Sequence, residues 1–171
     1  MTAIRVLVVD DSAFMRKVIS DIVNQDPHLE VVGTARDGQD ALQKIQGLKP
    51  DVVTMDVEMP GMDGLAALEQ LMKTNPVPVI MISSLTKQGA ELTFKALQLG
   101  AVDFIAKPSG QISLDIDKVR DEIINKIKTA AGTRNKLANF KYQEVIKPFE
   151  PVTGKKLEKS SDLKNIVLIG T

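Results

Sequence analysis

Short runs of β-branched residues alternate with amphipathic stretches through most of this chain, and that alternation limits the fold more than any other feature. Ile4 to Val9 forms the first run, closed by Asp10-Asp11. Phe14, Val18, Ile19, Ile22 and Val23 follow at helical spacing, with Ser12 placed to cap the helix. Leu29 to Gly33 is the second run. Ala41, Leu42, Ile45 and Leu48 then share a helical face that Pro50 terminates. The third run, Asp51 to Asp56, leads into a Met59-Pro60-Gly61-Met62-Asp63-Gly64 loop and a helix from about Leu65 to Lys73. Pro76 and Pro78 flank the start of the fourth run, Val77 to Ile82, and a helix from about Gly89 to Leu99 stops at Gly100. Val102 to Ile105 is the fifth run, and Ile116, Val119, Ile123, Ile124 and Ile127 mark a last helix. This order predicts an α/β fold, a doubly wound five-stranded parallel sheet with helices on both faces and right-handed crossovers. In such a sheet, ligands gather outside the carboxyl ends of the strands.

The periodicity fades at about Thr129. Residues 129–164 hold Gly132, Pro148, Pro151, Gly154 and a Lys155-Lys156 pair, and read as a linker after a first domain spanning 1–128. Phe140, Tyr142 and Phe149 lie within that stretch, either as solvent-exposed side chains or as docking points for a neighbouring domain. Residues 165–171 have the character of a buried strand that opens a second domain. The 22 basic and 22 acidic side chains cancel, which speaks against a nucleic acid or an anionic membrane surface as partner. Cysteine is absent, so disulfides and thiolate metal sites are excluded. No apolar stretch approaches the roughly 20 residues of a membrane span, and nothing at the start has the form of a signal peptide. A cytoplasmic protein is expected.

Polar residues collect where the predicted strands end. Asp10 and Asp11 close the first, Asp56 the third, Ser83 and Ser84 the fourth, and Lys107 follows the fifth. Taken singly, each has an ordinary explanation: helix capping, a turn, a surface lysine. A parallel sheet aligns them on one edge. Three carboxylates there repel one another unless a cation sits among them, and an all-oxygen ligand set suits Mg2+. A carboxylate in such a site can attack phosphorus and form an aspartyl phosphate. The charge on the transferring group then calls for the Lys107 ammonium, the Ser83 hydroxyl and loop N–H groups. His28 stands alone as a histidine and offers no ligand set, and Met55, Met62, Met72 and Met81 read as core filler.

Val9-Asp10-Asp11-Ser12, Met55 to Gly64, Ile82-Ser83 and Lys107-Pro108 together resemble bacterial response-regulator receiver domains, over roughly residues 3–128. The resemblance implies a flavodoxin-like receiver with Asp56 as phosphoacceptor. It also implies that Asp10, Asp11, Asp56 and the backbone carbonyl of Glu58 bind Mg2+, and that Ser83 and Phe104 form a switch pair. Ser83 to Thr86, Gly89 to Thr93 and Ala96 to Pro108 are similar to the chemotaxis protein-glutamate methylesterases. That likeness implies a receiver and linker, with Ile166 to Thr171 as the strand before the esterase serine. The implied partners are a chemotaxis histidine kinase, the chain's own methylesterase domain and, through the parent protein, chemoreceptors. The parent would demethylate receptor glutamates and deamidate glutamines, with phosphorylation relieving inhibition; this chain would be a regulatory piece without the esterase's catalytic residues. Rival expectations are a response regulator with a DNA-binding or stand-alone role, which the strand-like end disfavours. A further rival is an aspartyl-phosphate phosphohydrolase, which would carry its nucleophile after the first strand.

Overall fold

In the computed structural model, which describes residues 2–107 and 112–138, the chain runs in strict alternation. Its elements are β1 (Ile4–Val9), α1 (Ala13–Asn24), β2 (Leu29–Ala35), α2 (Gly38–Leu48), β3 (Val52–Asp56), α3 (Gly64–Thr74), β4 (Val79–Ser83), α4 (Lys87–Leu99), β5 (Asp103–Ala106), α5 (Ile112–Ala131) and α6 (Arg134–Ala138). All strand pairs are parallel, in the order β2-β1-β3-β4-β5. The order reverses beside β1: the chain moves outward to β2, then crosses back to β3. Loops after β1 and β3 therefore leave toward opposite faces and open a crevice at their carboxyl ends.

The strands read as continuous apolar runs because both faces of the sheet are covered. Val6, Val8, Ile80 and Ile82 point into one layer with Ile19, Ile22 and Val23 of α1 and Ile123 and Ile127 of α5. Leu7, Val9, Val53, Met55 and Met81 are equally buried, on the side where α2, α3 and α4 pack in succession. Met55, Met72 and Met81 are core residues, whereas Met62 is half-buried. Local chemistry fixes the helix starts. Ser12, Asp37, Asp63 and Thr86 each accept a backbone N–H from the first turn of the helix that follows. Lys49 ends α2 in the left-handed conformation just before Pro50, and Gly100 ends α4 at φ 116°.

The chain stays helical past residue 128, where the sequence predicts the first domain to end. α5 continues to Ala131 and α6 follows at once. The reason is non-local: Arg134 pairs with Asp51 before β3, Lys128 donates to Asp26 after α1 at 2.7 Å, and Leu137 is buried. Pro108, the aromatic residues Phe140, Tyr142 and Phe149, most of the expected linker and the expected strand over 165–171 lie outside the described residues. Among the described residues, no helix is long and apolar enough to cross a membrane.

Candidate functional site

β1 and β3 end side by side, with Val9 registered against Met55, so Asp10 and Asp56 enter the crevice together. Carboxylate oxygens of Asp10, Asp11 and Asp56 lie within 4.8 Å of one another. Asp10 and Asp56 are buried, at 0% and 1% exposure, while Asp11 faces solvent. Lys107 leaves the end of β5 with its N–H on the Ser83 carbonyl at 2.7 Å. Its ammonium donates to Asp56 Oδ2 at 2.7 Å and sits 3.8 Å from Asp10 Oδ2. Backbone donors complete the carboxylates: the Ser12 N–H reaches Asp10 Oδ1 at 2.9 Å, and the Glu58 N–H reaches Asp56 Oδ1 at 3.2 Å.

Burial raises the Asp56 carboxyl to a pKa of about 6; the Lys107 hydrogen bond opposes the rise and the Asp10 charge adds to it. Burial raises Asp10 as well, against the Ser12 N–H and Lys107. For Lys107, burial works against the charge, but the hydrogen bond and charge of Asp56, with Asp10 and Asp11, carry its pKa upward. One ammonium thus serves two buried acids. Asp10 Oδ2 is buried without a hydrogen-bond partner, a costly state for a carboxylate oxygen. An all-oxygen set with an excess of negative charge and an unsatisfied acceptor fits a hard divalent cation. Beside it lies a polar opening of about 640 Å3, bordered by Asp11, Glu58, Met59, Pro60, Gln88 and Lys107.

Ser83 and Phe104 stand apart from the acids in their contacts. The buried Ser83 hydroxyl donates to the Gly89 carbonyl in the first turn of α4 at 3.1 Å. Phe104 is 43% exposed, with its ring beneath the Lys126 ammonium. Three residues that sequence reasoning gave no role also shape the site. The Arg16 guanidinium donates to the Asp10 carbonyl at 2.8 Å and pins the turn after β1. A Cβ on Gly64 would lie 2.2 Å from the Asp56 carbonyl oxygen, and one on Gly89 would lie 2.3 Å from that of Ser84. Both helices therefore begin flat against the backbone of a strand end. Apart from their place in the motifs that carry the resemblance, their sequence signal is a glycine early in a helix, where it is otherwise unfavourable. Gly64→Ala is expected to cost roughly 1–3 kcal/mol in urea denaturation, because backbone must move to admit the methyl. An unchanged midpoint would contradict that close approach.

A parallel sheet that reverses order beside β1, with Asp10, Asp56 and Lys107 gathered at its carboxyl edge, has the architecture of a receiver domain. Residues 6–117 match the response regulator receiver domain family, and the chain belongs to it. Its receiver is of the type found in chemotaxis methylesterases. It is 54% identical over 169 residues to the protein-glutamate methylesterase/protein-glutamine glutaminase of Halalkalibacterium halodurans, covering 98% of this chain and 46% of that protein. The chain thus spans about half the length of the curated relatives it matches. Among solved structures, it is similar to the response regulator domain of Thermotoga maritima CheB, at 55% identity and a TM-score of 0.69. That likeness covers 76% of this chain and 97% of the other. A CheX–CheY–BeF3–Mg2+ complex from Borrelia burgdorferi contains a chain 32% identical, with a TM-score of 0.63, over 75% of this chain and 89% of that one.

Proposed function

We propose that this chain is the regulatory part of a chemotaxis methylesterase and that Asp56 accepts a phosphoryl group from a histidine kinase. The observation that carries the reading is the Lys107 ammonium held 2.7 Å from Asp56 and 3.8 Å from Asp10, at the mouth of the strand-order reversal. In the transfer, an Asp56 carboxylate oxygen bonds to phosphorus as the P–N bond of a phosphohistidine breaks, and the freed imidazole takes a proton from water. Lys107 and the Ser83 hydroxyl receive phosphoryl oxygens. To do so, Ser83 releases the Gly89 carbonyl it contacts at 3.1 Å, and Phe104 turns inward behind it. Asp10, Asp11 and Asp56, with the backbone carbonyl of Glu58, are the residues that would hold Mg2+. Bound there, Mg2+ supplies positive charge among the acids and for the phosphoryl oxygens. Asp10 Oδ2, buried without a hydrogen bond, supports this ligand set, as does the presence of BeF3 and Mg2+ in the Borrelia burgdorferi complex.

In the parent protein, phosphorylation relieves inhibition of an esterase domain that demethylates chemoreceptor glutamates and deamidates glutamines, in the cytoplasm. The names of the relatives and the half-length match support that assignment. The direct test is phosphotransfer from a chemotaxis kinase followed by borohydride, which reduces an aspartyl phosphate to homoserine. Homoserine at position 56 is the expected result; label on another side chain, or none, would sink the reading.

Divalent cation binding has its own check. Mg2+ at about ten times its dissociation constant should stabilise the fold by roughly 1.4 kcal/mol, a rise of about 5 °C in Tm. Asp11→Asn, a change at a solvent-facing ligand, should remove most of that rise. Equal responses in the two proteins would take Asp11 out of the ligand set.

A further inference from the structure

We infer that Lys126 is a positioning residue that holds Phe104 in its outward orientation and thereby sets how readily the receiver is activated. The inference rests on the reading that Phe104 turns inward when Asp56 is modified. Lys126 lies on α5, far in sequence from β5, yet its ammonium donates to the Phe104 carbonyl at 2.6 Å. It also meets Glu122 Oε1 at 3.0 Å and Asp103 Oδ1 at 3.5 Å. These three acceptors fix the ammonium in place, and from there it stands 5.1 Å from the centroid of the Phe104 ring. A lysine left free would lose rotamer entropy on making this contact; here the oxygens have already ordered it, so the outward ring gains the cation–π attraction at little extra cost.

The alternative position for the ring is also visible. An apolar groove of about 360 Å3 runs beside β5, bordered by Ser83, Ala90, Thr93, Phe94, Leu97 and Phe104 itself. Turning into it would bury a ring that is now 43% exposed, which is favourable. Something must balance that gain in the resting state, and the Lys126 ammonium over the outward ring is placed to do so. By linkage, whatever favours the outward ring weakens binding of any ligand at Asp56 that favours the inward one, by the same factor.

The probe is beryllofluoride with Mg2+, titrated into the full chain grown with fluorophenylalanine. The 19F signal of bound beryllofluoride reads occupancy. The Phe104 signal, one of five and identified by its absence in Phe104→Leu, reads the ring. Lys126→Met keeps the aliphatic stem and removes the cation. It should lower the beryllofluoride midpoint about two- to fivefold, the factor an exposed cation–π contact corresponds to. Lys126→Arg should restore the wild-type midpoint. In a Phe104→Leu background, Lys126→Met should leave the midpoint unchanged, an outcome that a merely structural lysine would not give. A Phe104 signal that moves in the wild type, with the same midpoint in Lys126→Met, overturns the role of the lysine alone. A wild-type Phe104 signal that never moves overturns the switch beneath it as well.

Discussion

Asp56→Asn is expected to abolish phosphoryl uptake from kinase or acetyl phosphate, while making the protein more stable in buffer free of divalent cations. The first effect follows from chemistry: an amide is a poor nucleophile toward phosphorus, and Asp56 is the buried acid on which Lys107 closes at 2.7 Å. The second follows from burial. The unfolded carboxyl ionises near 3.8 and the folded one near 6, so between those values the folded state holds the extra proton. A group with a raised folded pKa contributes stability that is full below pH 4 and is lost as pH rises through 6. At pH 7 the ionised Asp56 therefore costs the fold on the order of 2–3 kcal/mol, which the neutral amide does not. Asparagine can still accept from Lys107, and it removes the repulsion with Asp10. Thermal unfolding of the variant at pH 7 should lie roughly 5–10 °C above wild type. The gap should close near pH 4. A variant that unfolds earlier at pH 7 would mean that the acid pair is not under strain; one that still takes up label would remove Asp56 as acceptor.

That tension between fold and site explains what the sequence could reveal. The sheet was legible because a doubly covered parallel sheet writes its strands as apolar runs, and because Ser12, Pro50 and Gly100 mark helix ends in local terms. The meeting of Asp10, Asp56 and Lys107 could be anticipated because parallel strands must end on one edge, whatever their separation in the chain. The contacts that set side-chain orientation obey no such rule. Ser83 donating to Gly89, Arg16 gripping the Asp10 carbonyl and Lys126 covering Phe104 depend on how helices seat on the sheet, which periodicity does not encode. The helical structure past residue 128 was hidden for a related reason. Arg134 looks like a linker residue until Asp51, 83 positions earlier, is placed beside it, and Leu137 looks like one until its burial is seen.

Lys107→Met should reveal the electrostatic load of the site most directly, and its cost should depend on pH. Lys107 is 27% exposed and is the ammonium within reach of both buried carboxylates. Removing one partner of a buried ion pair typically costs about 3–5 kcal/mol, because the remaining charge loses its compensation. Here the remaining charges can escape by taking up protons. Without Lys107, both carboxyls lose the interaction that now holds their pKa values down, and each rises further above its ordinary value. Groups with raised folded pKa stabilise below the unfolded value and lose that contribution as pH climbs through the folded one. The variant should therefore lie within about 1 kcal/mol of wild type near pH 5 and fall about 3 kcal/mol below it near pH 8, in urea denaturation without divalent cations. Mg2+ should recover part of the loss at pH 8, since a cation among the acids does for the fold what the ammonium did. The same deficit at both pH values would instead assign the loss to packing of the lysine stem, and would show that Asp10 and Asp56 do not rely on Lys107 to remain charged.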